Sequence, residues 1–140
     1  MENAALAKTN FSAAQETSAA SILKQAYQTA VDWRFAQATN ASGIGKVDDT
    51  IVPLNAAREL AKQGEVFFDE SAAKKLIDDA LVNGKELEFV TAEGFANAGD
   101  AENTYFHLDL ARDNAKRLGQ KFTDKEEKRA AAILKLLPAK

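Results

Sequence analysis

Cysteine is absent from this 140-residue chain, and histidine, tryptophan and methionine occur once each. Without thiols there is no disulfide framework, no thiolate nucleophile, no zinc ribbon and no iron–sulfur centre. No stretch approaches the roughly 20 consecutive apolar residues that span a bilayer. The opening MENAALAKTNFSAAQ has neither the basic nor the continuous apolar region of a secretory signal. The expectation is therefore a soluble, cytoplasmic protein. Glycine-rich phosphate loops are missing too. Gly43-Ile44-Gly45-Lys46 resembles a fragment of one, but Asn40 stands where the first glycine belongs and Val47 where the hydroxyl belongs.

What is present is ordinary for a globular domain: 46% hydrophobic and 28% charged residues, with a net charge of −3. The length fits one domain able to bury a core. Charge is unevenly spread. From Lys116 onward eight cations face three acids, a balance of +5, which leaves −8 on the rest. Such polarity steers a partner of opposite sign, or a second copy, into one orientation.

Residues 1–11 are small and polar with weak periodicity, and read as a flexible N-terminal arm. Residues 12–140 read as a single helical domain. Ser12-Ala13-Ala14-Gln15 fits a capping box, opening a helix that runs to about Ala38 on the stripe Leu23, Tyr27, Val31, Phe35. NASGIGKVDDT, Asn40 to Thr50, reads as a loop. Pro53 suits the first turn of a second helix, and Gly64 a left-handed end to it.

Glu65-Val66-Phe67-Phe68 is short, β-branched and aromatic, and Lys85 to Thr91, KELEFVT, alternates Leu87 and Phe89 with Glu86 and Glu88. Both read as strands, flanking a helix capped by Asp69 or Ser71 and stopped by Asn83-Gly84. Glu93 to Gly99 reads as a second flexible connection. Asp100 then opens a helix that Gly119 ends, and Thr123 to Glu126 forms a second capping box before a last helix ended by Pro138. The fold class expected is mainly α (α+β): about five helices with a minor two-stranded β element.

TYFHLDLARD, Thr104 to Asp113, carries the one histidine. The residues three and four away from His107 are Asn103, Thr104, Leu110 and Ala111, so its helix supplies no second metal ligand and no paired carboxylate. His107 reads as a surface or boundary residue. Asp48-Asp49 is the better ligand candidate among the acidic pairs, since Asp78 and Asp79 diverge on a helix and face Lys74 and Lys75. No catalytic residue, metal or cofactor is assigned.

The functional expectation is a non-enzymatic protein-interaction domain, of assembly, adaptor or inhibitor type, binding a protein partner or itself. Its contact residues are Lys121, Lys125, Lys128 and Arg129 on the basic C-terminal hairpin, with Trp33 and Arg34 as a second surface. An alternative is a small-molecule-binding protein or enzyme with a pocket near loops 40–50 and 93–99. Nucleic-acid binding through the hairpin is a further alternative, weakened by its own acids.

Overall fold

The structure, a computed structural model, describes residues 12–139, so the expected arm at 1–11 lies outside the described residues. Among the described residues five helices follow in order: α1 Ala13–Gly43, α2 Val47–Gly64, α3 Glu70–Asn97, α4 Ala101–Arg117 and α5 Asp124–Leu134. Short turns fold α1 onto α2 and α3 onto α4, giving two helical hairpins. α3 is the spine between them. Its first half brings Ala73, Leu76 and Ile77 to Ala38 and Leu54, while Val66 and Phe68, just before it, cover Val31, Ala57 and Ala61. Its second half presents Phe89, Ala92 and Ala96 to Leu108, Ala111, Ala130 and Ile133. Alanine at so many contacts lets the helix backbones approach closely.

Local signals hold where they are self-contained. Both capping boxes form, Ser12 with Gln15 and Thr123 with Glu126. Asp69 and Asp100 each accept from a first-turn amide of the helix they open. At the end of α2 the left-handed residue is Glu65 (φ 52°) and not Gly64. Gly64 is needed one residue earlier, because any side chain there would collide with the Tyr27 ring.

Several expectations are corrected. No strand occurs among the described residues, so the two-stranded element is absent there. Residues 66–69 are irregular, with Phe68 packed on Phe35 at 5.2 Å between ring centres. KELEFVT lies inside α3. Its period-two alternation is real in sequence, but burial follows Leu81, Phe89, Ala92 and Ala96, a helical stripe, while Leu87 is 40% exposed. Asn83-Gly84 does not stop α3, because Gly84 sits where the α1–α2 turn approaches.

A further correction concerns Asn40 to Thr50. α1 continues to Gly43 and α2 begins at Val47, so only Ile44 to Lys46 connect them. Asp48 and Asp49 then lie in the first turn of α2, where carboxylates favour the helix dipole. Pro53 falls inside α2, so it cannot donate to the Asp49 carbonyl one turn back. Similarly, Glu93 to Asn97 complete α3, leaving a connection of three residues before α4.

α5 is tied down by charge as well as by Ala130 and Ile133. Lys85 meets Glu126 at 2.8 Å with both side chains largely buried, and Arg112 meets Glu127. Arg129 forms two bonds to Glu86, at 2.6 and 2.7 Å, and lies over the Phe89 ring. The Arg129 guanidinium holds the Glu86 carboxyl below the ordinary carboxylate range.

Candidate functional site

The basic hairpin is the turn between α4 and α5 with the helix ends beside it. Two parts of its charge are distinguishable. Arg112 and Arg129 are committed to Glu127 and Glu86. Lys116, Arg117, Lys121, Lys125 and Lys128 are exposed, and none forms an ion pair with another described residue. Lys125 and Lys128 are one turn apart on the outer face of α5, because Ala130 and Ile133 hold the inner face against α3 and α4.

Between the end of α4 and the turn lies a groove of about 580 Å³. Arg112, Lys116, Lys121, Phe122 and Glu127 line it. Arg112 sits 4.3 Å above the Phe122 ring, which itself packs on Phe89. The groove therefore offers a cationic rim over an apolar floor. Phe122 joins this surface although it was not among the expected contacts. Phe122 lies in the turn, two residues before α5 begins, and an aromatic in a short turn was its only signal.

Trp33 and Arg34 belong to the other hairpin. Trp33 is 58% exposed, and the Arg34 guanidinium lies 5.0 Å from its ring centre. Arg34 also donates to Gln37. These two residues form a separate patch on α1, and no appreciable packing joins α1 to α5. The expected contact residues thus fall on two surfaces.

His107 occupies a third place. Its Nδ1 lies 2.5 Å from Glu88 Oε2, with both side chains about one-fifth exposed. The ring stacks on Phe95 at 5.3 Å and meets the edge of Phe106 at 5.2 Å. It is a boundary residue with a carboxylate partner, supplied by the neighbouring helix. A strand at 85–91 hid that pairing by turning Glu88 to solvent. His107→Ala is expected to cost about 1–3 kcal/mol, since it leaves a largely buried carboxylate without its partner. Denaturant titration checks this, and an unchanged midpoint would mean that water already satisfies Glu88.

Glu88 also faces an open cleft of about 410 Å³, together with Lys46, Asp48, Asp49, Asp113 and Arg117. Two of the residues expected near a pocket, Asp48 and Asp49, do line one. The 93–99 segment does not contribute to it. Acids and cations are mixed along its walls, and no cluster of three potential metal ligands forms among the described residues. No helix of the described residues is long and apolar enough to cross a membrane. Comparison with family models, curated proteins and solved structures gives no match to this chain.

Proposed function

We propose that this chain is a protein-interaction domain whose principal contact is the basic hairpin, through Lys121, Lys125 and Lys128 with Lys116 beside them. One observation carries the reading. The hairpin cations Arg112 and Arg129 are paired with Glu127 and Glu86, whereas Lys116, Lys121, Lys125 and Lys128 have no ion-pair partner among the described residues. Unpaired Lys116 and Lys121 on a groove with an aromatic floor match an acidic protein segment carrying an apolar side chain, and Lys125 and Lys128 extend the positive charge along α5. Arg129 belongs to this surface by position, but its charge is spent on Glu86, so it contributes by holding α5 in place.

The reading is tested with a fluorescent Glu-rich peptide bearing one phenylalanine, titrated by anisotropy at several salt concentrations. Binding should weaken steadily with salt. The triple reversal of Lys121, Lys125 and Lys128 to Glu should lower affinity about tenfold or more while the denaturation midpoint stays near wild type. Equal binding by wild type and variant would reduce the hairpin to a solvated face, leaving the Trp33–Arg34 patch as the next contact. Duplex DNA bound more tightly than the peptide, and lost in the same variant, would favour nucleic acid as the partner.

A second reading, small-molecule binding in the cleft beside α2, draws on Glu88. This carboxylate both lines the cleft and receives His107, an arrangement by which a ligand touching Glu88 would also feel the imidazole.

A further inference from the structure

α1 is much longer than the helix it packs on, with 31 residues against 18. α2 ends at Gly64, against the Tyr27 ring. Upstream of Tyr27, every residue from Ser12 to Ala26 is exposed although the helix continues unbroken. About 20 Å of helix therefore projects past the body of the molecule. Five alanines help it to remain helical, but a free helix of this length is marginal in water.

The overhang keeps the face that packs on α2. At about 100° per residue, Ala13, Ala20 and Leu23 fall on the side of Tyr27 and Val31. Val31 is buried, whereas Leu23, two turns upstream, is 59% exposed and belongs to no core cluster of the described residues.

We propose that a second copy of this chain docks on this face, the two overhangs lying antiparallel about a twofold axis at Ala20. The charges select both the occupant and its direction. Glu16 and Lys24 are the charged residues of the segment from Ser12 to Ala26, each four positions from Ala20. They are roughly 12 Å apart along their own helix, too far to pair within it. Antiparallel docking sets each Glu16 level with the Lys24 of the second copy, twice over. Parallel docking would set like charges against each other. The same register brings each arm's Ala13 level with Tyr27 of the other copy, beside the end of α2 at Gly64. Such a contact is self-complementary and closes at two copies.

The surface is separate from the basic hairpin, so either reading stands if the other fails. The test is the mass of the full chain by sedimentation equilibrium over a wide concentration range. Wild type should pass from one copy to two. Leu23→Asp should remain a single copy, with its helix content and melting retained because Leu23 is not in the core. E16K should weaken the dimer about tenfold, through two repulsive pairs, and E16K/K24E should restore it to within about threefold of wild type. The Lys121, Lys125 and Lys128 reversal should leave the mass unchanged. A wild-type chain that stays single at every concentration overturns the proposal. So does a dimer indifferent to Leu23→Asp and E16K, or one that the double swap fails to rescue.

Discussion

Phe89→Ala should lower stability by about 3–5 kcal/mol, the range for an aromatic truncated in a packed core. Phe89 is 1% exposed and is the largest fully buried side chain. It stands where α3 meets both α4 and α5, in one cluster with Ala92, Leu108, Ala111 and Ile133. Its ring also receives Phe122 at 5.1 Å and the Arg129 guanidinium at 4.6 Å. Truncation therefore removes an apolar surface, an aromatic contact and the platform under an ion pair. Urea denaturation followed by circular dichroism measures the loss. Leu87→Ala provides the contrast, since Leu87 is 40% exposed on the same helix and should cost well under half as much. Equal effects from the two would mean that residues 85–91 alternate their burial like a strand.

That pair of residues also shows where sequence reading stops. Capping boxes at Ser12 and Thr123 were legible because a cap is decided within four residues. The stripe Ala130, Ile133 was legible because a short helix on one face of a body has one periodicity. α3 has no single environment. It packs on α1 and α2 over its first half and on α4 and α5 over its second, so its buried stripe shifts midway. At that shift, Leu87 and Phe89 mimic a strand. The basic hairpin was legible as composition, but its division into paired and unpaired cations was not. Arg129 finds Glu86 across 43 positions, and only the fold makes them neighbours. His107 and Glu88 meet across a helical hairpin for the same reason.

The glycines carry the second large effect, because three of them respond to the same added methyl group in different ways. Gly94→Ala should stabilise the chain by about 0.5–1 kcal/mol: it lies in α3 with nothing within 4 Å of a new Cβ, so helix propensity decides. Gly84→Ala gains the same propensity, yet its Cβ would stand 2.9 Å from the Gly45 carbonyl oxygen and 3.1 Å from Asn114 Nδ2. Overpacking of that kind costs about 1–3 kcal/mol and should outweigh the gain. Gly45→Ala combines two penalties. Its φ of +74° costs a side chain about 1–2 kcal/mol, and its Cβ would lie 2.7 Å from backbone atoms of Asn83 and Gly84, which cannot rotate aside. A total of about 2–5 kcal/mol is expected. The contact matters because the α1–α2 turn is fastened there: Asn83 Nδ2 donates to the Ser42 carbonyl and Ser42 Oγ to that of Leu76. The two hairpins are held together partly by this notch, which also forms a wall of the cleft beside α2. Thermal melts of the three variants should rank Gly94→Ala above wild type, then Gly84→Ala, then Gly45→Ala. If Gly84→Ala melts above wild type, the turn yields to a methyl group and the two hairpins are less tightly joined than the backbone contact implies.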